Sequence, residues 1–297
     1  MNFTFAPATK NQAKARIAFA GPSGSGKTYT SLITATALGE RVAVIDTERG
    51  SASKYADEFA FDTLHMHTYD PRQLVRALAA AGEAGYDAVV VDSLSHFWMG
   101  VGGMLEQVDA AAKRSGGGNT FAGWKEARPM ERQMVDALLA YPGHVVVTMR
   151  TKTEYVVEEN DRGKKIPRKI GTKPEQRDGI EYEFDIVGDL DLDNTLVVAK
   201  SRCKPLAKAV IREPDAGFGK QVLDWLTDGA DPGMSVMEVR RQALDPATGF
   251  EELGVLYKAE DGRGRLGAAV ADEDGEPTTL GALLARLGNA RKPKAAT

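Results

Sequence analysis

Apolar positions along this chain arrive in two rhythms. Short runs rich in valine, isoleucine and alanine stand at 17–20, 41–45, 87–91 and 144–148. Such a run has no polar face to offer water, as in strands of a parallel sheet covered on both sides by helices. Between these runs the spacing is helical, at 29–38, 71–84, 104–114 and 121–140. Gly39 stops the first helix, and Pro71 opens the second at a position where its missing N–H costs nothing. Strand and helix alternate, which predicts an α/β fold with a mainly parallel sheet flanked by helices.

The rhythm then changes. Residues 151–179 are polar and highly charged. The segments 182–192 and 195–201, joined by Asp193-Asn194, read as a β-hairpin extension added to the sheet edge. A short helix at 222–226 is followed by a turn-rich break at 227–233, and helices at 235–244 and 279–287 sit among Gly-rich turns. Ser115-Gly116-Gly117-Gly118-Asn119 reads as a flexible loop. The chain divides into an N-terminal arm at 1–14, an α/β core at 15–228 and a small, mostly helical C-terminal domain at 229–297 with a basic tail.

The sharpest feature is Gly21-Pro22-Ser23-Gly24-Ser25-Gly26-Lys27-Thr28, which fits G-x-x-x-x-G-K-[ST], with a strand before it and a helix after. Glycines let the backbone wrap a phosphate, and free amides at a helix N-terminus supply partial positive charge. Lys27 adds a full charge at the β- and γ-phosphates, and the Thr28 hydroxyl suits Mg²⁺. Tyr29 follows the loop directly and joins the nucleotide-binding set. ATP with Mg²⁺ is the expected ligand.

Bulk properties narrow the partners. With 38 Lys and Arg against 42 Asp and Glu the net charge is −4, so contact with nucleic acid must come from a local basic patch. Such a patch exists: Arg162, Lys164, Lys165, Arg168, Lys169, Lys173 and Arg177 cluster with few acids among them. Cys203 is the only cysteine, which excludes an intrachain disulfide and speaks against a thiol zinc site. His65, His67, His96 and His144 lack metal-ligand spacing with other ligands, and the close pair His65/His67 reads as structural, on one side of a strand. The first 16 residues carry no apolar run of signal type, and no segment approaches the ~20 apolar residues that cross a bilayer, so a cytoplasmic protein without a membrane partner is expected.

Phosphoryl transfer to water needs a second Mg²⁺ ligand and a group that orients the water. Acids at the C-terminal ends of buried parallel strands are placed for both. Asp92 closes the run at 87–91 and is the metal candidate. Glu48, two residues after Asp46, is the candidate for the water.

These pieces, with Val44-Ile45-Asp46-Thr47-Glu48 and Val90-Val91-Asp92-Ser93, resemble the RecA-like P-loop NTPase core over roughly residues 15–226. In detail the chain looks like the phage-encoded recombinase branch that includes single-strand annealing proteins. The resemblance implies an Mg-ATP-dependent ATPase, stimulated by single-stranded DNA, in a bacterial host. It implies Glu48 as the catalytic glutamate and Tyr55 as an adenine-stacking ring, unless Tyr55 is an ordinary half-buried aromatic. It implies a homo-oligomer, ring or filament, with nucleotide at the subunit interface. Lys200 and Arg202 would then reach a neighbour's nucleotide, or else form a basic pair guarding an edge strand. The family's γ-phosphate-sensing glutamine is missing, and Thr148 or Arg150 stands in that region. DNA loops would fall at 97–124 and 151–179, with Trp98, Phe121, Trp124 and Tyr155 to stack bases and Lys164, Lys165, Arg168, Lys169, Lys173 and Arg177 to track phosphates. The acids Glu154, Glu158, Glu159 and Asp161 beside them leave a charge-balanced insert open. Phe3-Thr4-Phe5-Ala6 has the form of an oligomerisation hook, or is a simple Phe pair. The C-terminal domain reads as a partner-binding or single-strand-binding appendage or as an oligomer-trimming cap, and a single-strand-binding protein is a candidate partner of the chain. Two other readings stand beside this one: a nucleotide-gated scaffold or loader acting on a protein partner, and a P-loop kinase with the basic stretch as its lid.

Overall fold

The computed structural model describes residues 10, 12–115, 119–159, 165–229 and 233–292, with side chains throughout these except at 153–159 and 165–171. The Phe3–Ala6 segment, Gly116 to Gly118, Lys164 and the end of the basic tail lie outside the described residues. So do the side chains of Tyr155, Lys165, Arg168 and Lys169.

The chain runs β1 (Arg16–Gly21), α1 (Lys27–Leu38), β2 (Val42–Asp46), β3 (Asp62–His65), α2 (Pro71–Glu83) and β4 (Ala88–Asp92). It continues through α3 (Ser95–Met99), α4 (Met104–Arg114), α5 (Thr120–Ala140), β5 (His144–Glu159), β6 (Lys165–Pro174), β7 (Ile186–Leu190), β8 (Thr195–Ser201), β9 (Val210–Arg212) and α6 (Ala216–Thr227). In space the sheet order is β3-β2-β4-β5-β1-β7-β8-β9. Pairing is parallel from β3 to β7 and antiparallel for β8 and β9.

Both faces of this sheet are covered, which is why its strands read as continuous apolar runs. Ala18, Val89, Val91, Val145 and Val147 pack on Leu74, Leu78, Met134 and Leu138 of α2 and α5. Ile17, Phe19, Val44, Val90 and Val146 pack on Leu32, Phe218 and Val222 of α1 and α6. Each such Val, Leu, Ile, Phe or Met side chain contributes about 1.5–3 kcal/mol on leaving water. Parallel strands point one way, so Gly21, Asp46, Asp92 and Thr148 reach the same edge, where α/β sheets bind ligands. At the opposite edge the buried Arg16 guanidinium donates to the carbonyls of Ala15, Leu139, Tyr141 and Gly143, tying the end of α5 to β1.

Several elements depart from the sequence reading. The stretch after Thr148 is no loop: β5 runs on to Glu159 and pairs antiparallel with β6 as a two-stranded ribbon. Its charges hid the strands, and Pro167 is tolerated because β6 pairs only with β5. The first strand of the edge hairpin is Ile186–Leu190 alone, with a 3-10 turn at Ile180–Glu183 before it. Helix α6 begins at Ala216, six residues before the predicted start, where the Asp215 side chain accepts from the Gly217 amide at 2.8 Å. Gly219 inside it meets α1 so closely that a Cβ would stand 2.6 Å from the Ala37 methyl. His65 ends β3, and His67 lies beyond the strand.

After α6 come α7 (Val236–Leu244), α8 (Phe250–Gly262), β10 (Ala269–Ala271), β11 (Pro277–Thr279) and α9 (Leu280–Ala290). The sequence reading missed α8 because its buried positions are only Leu253 and Glu260, too few to make a stripe. It also missed the β10–β11 hairpin, whose strands are three residues each. Val236, Val239, Leu253, Leu280, Leu284 and Leu287 form a separate apolar cluster that meets the core through Ala140 of α5. Glu83 of α2 pairs with Arg240 of α7 at 2.9 Å. No helix among the described residues is long and apolar enough to cross a membrane.

Candidate active site

The loop between β1 and α1 has the shape its glycines predict. Gly24 and Gly26 have φ of 82° and 78°, a left-handed backbone that favours glycine. At Gly21 a Cβ would stand 2.6 Å from the Leu190 carbonyl oxygen, so the loop lies hard against the β7 end. The Ser25 hydroxyl donates to the Pro22 carbonyl at 2.9 Å and closes the turn. No side chain caps α1 and its first turn holds no acid, so its leading amides are free to meet an anion. The Lys27 ammonium folds onto the Pro22 carbonyl at 2.6 Å. Burial lowers its pKa, while Asp92 and Glu48 pull the other way.

Asp92 ends β4 and is 2% exposed. Its carboxylate accepts the Thr28 hydroxyl at 2.7 Å and, on its other oxygen, the Thr148 hydroxyl. Burial raises its pKa, and the two hydroxyls act against that rise. The oxygen set of Thr28 and Asp92 is hard and compact. Mg²⁺ takes one or two such protein ligands and fills its other positions with phosphate and water, so these residues fit it. No cluster of three or more His, Cys, Asp or Glu able to hold a metal occurs among the described residues.

Glu48 is set by a buried turn. Asp46 accepts the Glu48 amide at 2.7 Å and the Gly50 amide, and contacts His65 Nδ1 at 2.8 Å. The Glu48 carboxylate then faces Arg150 of β5 in a two-pronged pair, with Nε to Oε1 at 2.9 Å and Nη2 to Oε2. Burial alone would raise the Glu48 pKa, but the Arg150 fork and its charge hold it below the usual range. Beneath this pair the Thr47 hydroxyl accepts the Ser93 amide at 2.6 Å and contacts His96 Nδ1 at 2.7 Å. The His96 ring stacks on Tyr69 at 4.9 Å, and burial lowers its pKa.

Lys27, Thr28, Glu48, Asp92 and Arg150 line a cleft of 510 Å³ that also takes in Gly24, Tyr29, Tyr55 and Glu175. Tyr29 and Tyr55 meet edge to face at 5.5 Å on its wall, the only aromatic pair lining it among the described residues. A second cleft of 580 Å³ lies between α2 and the β10–β11 hairpin, away from this chemistry. The structure therefore brings Gly21 to Tyr29, Glu48, Tyr55 and Asp92 into one place.

Lys200 and Arg202, expected to act on a neighbouring chain's nucleotide, lie away from this chain's own cleft. Ser201 pairs with Ile186, which pairs with Ile17, so the end of β8 lies at the sheet edge opposite the loop. The Lys200 ammonium donates to the carbonyls of Glu181, Tyr182 and Phe184 at 2.6–2.9 Å, and Arg202 pairs with Asp185. Lys173 contacts Asp178 at 3.2 Å, and Arg177 is held by Glu131 at 2.8 Å and by Glu183. Trp98 and Trp124 pack on each other at 5.7 Å beside Met104 and Val108, whereas Phe121 is 78% exposed. The functional contact that sequence reasoning missed is Arg150 on Glu48. Its partners stand 102 residues apart, and the sequence pointed to Arg150 only as one of two residues at the place of the missing γ-phosphate-sensing glutamine.

A glycine-rich loop on the end of β1, a helix N-terminus behind it and a carboxylate on the end of a neighbouring strand define the class: a P-loop ATPase of α/β type. Residues 13–213 match the family described as AAA domain, and the chain belongs to that family. No curated protein matches the chain.

Proposed function

We propose that this protein is an Mg-ATP-dependent ATPase of recombinase or annealing type, whose nucleotide cleft is coupled to single-stranded DNA on the β5–β6 ribbon. One observation carries the coupling. Strand β5 is continuous: it holds Thr148 on Asp92 and Arg150 on Glu48, then runs on into the ribbon, whose pairing shifts register between Glu154 and Tyr155. The ribbon returns at Glu175, whose amide donates to the Arg150 carbonyl at 2.7 Å. Any tilt of the ribbon is felt at the cleft. Between 162 and 177 the sequence has seven basic residues and one acid, Glu175, a composition suited to phosphates.

In this reading Lys27 and the loop amides hold the triphosphate, and Tyr55 stacks the base. Thr28 and Asp92 hold Mg²⁺, which neutralises charge on the phosphates when bound. Glu48 orients the attacking water. Exposed Phe121 is a platform for a base. The C-terminal cluster is a separate docking unit, and the assembly is a homo-oligomer.

Fluorescence anisotropy of a labelled single strand, with and without a non-hydrolysable ATP analogue, tests the coupling. Tighter binding with the analogue, and a shallower salt dependence in Lys169→Glu, are expected. Binding indifferent to both removes the DNA reading. The pairing of Lys173 and Arg177 with Asp178, Glu131 and Glu183 would then favour the second reading, a nucleotide-gated scaffold for a protein partner.

A further inference from the structure

ATP hydrolysis needs a cation on the phosphoryl group as charge moves in the transition state, supplied within one chain or by a neighbour. Lys200 spends its ammonium on three carbonyls of its own chain, at the sheet edge away from the loop. Arg150 is differently placed. Its backbone is fixed on both sides, the amide donating to the Ser95 hydroxyl at 2.9 Å and the carbonyl accepting from Glu175 at 2.7 Å. Its side chain, 44% exposed, lines the same cleft as Lys27, Thr28 and Asp92. Its Nε and Nη2 both donate to Glu48.

That pair has a consequence for chemistry. A carboxylate gripped by a guanidinium is a poor acceptor for a water proton. A terminal phosphate offers the same fork a better partner, with more charge and matching oxygen geometry. Resting on the ATPase reading above, we propose that Arg150 is a catalytic residue acting within its own chain. When ATP binds, its fork moves from Glu48 to the γ-phosphate, stabilising the phosphate and releasing Glu48 in one motion. The water oxygen then bonds to the γ-phosphorus and the bond to the bridging oxygen breaks. The bond's electron pair stays on ADP, and the water proton passes to Glu48 and on to the phosphate formed. Without ATP the pair keeps Glu48 idle.

Mixed-chain hydrolysis tests this. Arg150→Ala is expected to bind a fluorescent ATP analogue more weakly than the parent and, at saturating ATP, to lose about 10³-fold in single-turnover hydrolysis, as removal of an arginine finger does. Added guanidinium is expected to restore part of the rate, which a purely structural arginine would not allow. Arg150→Lys keeps the charge without the fork and is expected to fall between parent and Arg150→Ala; it also serves if Arg150→Ala fails to fold. Mixing Arg150→Ala with Lys27→Ala chains, each lacking one part, is expected to give no recovery. Recovery on mixing would show that the cation acts between chains and overturn the proposal, as would full activity of Arg150→Ala. A parent that binds ATP analogue but hydrolyses nothing would instead sink the ATPase reading itself.

Discussion

Replacing Asp92 by Asn should make the empty protein more stable and unable to use Mg-ATP. Asp92 is 2% exposed; its carboxylate accepts the hydroxyls of Thr28 and Thr148, and the Lys27 and Arg150 charges also act on it. Burial raises its pKa, which means the folded state disfavours the charged form. Asn has the same shape, and both hydroxyls can turn to suit its amide. The expected gain is about 1–2 kcal/mol, the size common when a strained active-site group is relieved. For a protein of this size that is roughly 2–8 °C in Tm. The sign with pH follows from the shift. A carboxyl with a raised folded pKa costs stability above that value, and the cost fades as pH falls through it toward the unfolded value. The advantage of Asn should therefore shrink on acidification. With ligand the order reverses: at 100 times its Kd, Mg-ATP adds ~2.7 kcal/mol to the parent. The variant should gain little from adding Mg²⁺ to ATP. Thermal unfolding with ATP, with and without Mg²⁺, reads all of this. A lower Tm for empty Asp92→Asn, or an undiminished Mg²⁺-dependent rise, would refute the reasoning.

Three further outcomes are expected. Burial lowers the His144 pKa from 6.5 to about 3, and its Nδ1 accepts the Ala15 amide at 3.0 Å as a neutral ring. Stability from this group is complete above pH 6.5 and is lost as pH falls toward 3, so His144→Gln should flatten acid unfolding followed by circular dichroism. Gly219→Val should cost about 1–3 kcal/mol in urea unfolding, because its Cβ would press on the Ala37 methyl and stand 3.0 Å from the Thr34 carbonyl oxygen. Tyr55→Ala should weaken ATP but spare inorganic triphosphate, by about 1–3 kcal/mol if the ring stacks the base. Equal loss for both ligands in calorimetry would assign Tyr55 to packing on Tyr29 alone.

What was legible in the sequence follows the range of the forces involved. The phosphate loop could be read because its residues act as neighbours in sequence, with Gly24 and Gly26 fixing the backbone locally. The strands could be read because burial on both faces leaves them no polar positions. Asp92 and Glu48 could be placed in one cleft because parallel strands end at a shared edge. The ribbon could not be read, since β6 pairs only with β5 and its prolines and charges resemble a loop. Nor could Arg150 be assigned to Glu48: that pair depends on the order in which β2, β4 and β5 lie side by side. Lys200 was expected to serve a neighbour's nucleotide, and within its own chain its ammonium satisfies three carbonyls of the turn at 180–184.

The central claim is a cleft that hydrolyses ATP under the control of a strand on the ribbon. Steady-state hydrolysis with and without single-stranded DNA, at two salt concentrations and with Lys27→Ala as the blank, tests it most directly. The account predicts a rate that DNA raises, that salt brings back toward the DNA-free value, and that the blank lacks. A rate absent in the blank yet unchanged by DNA at either salt would contradict it.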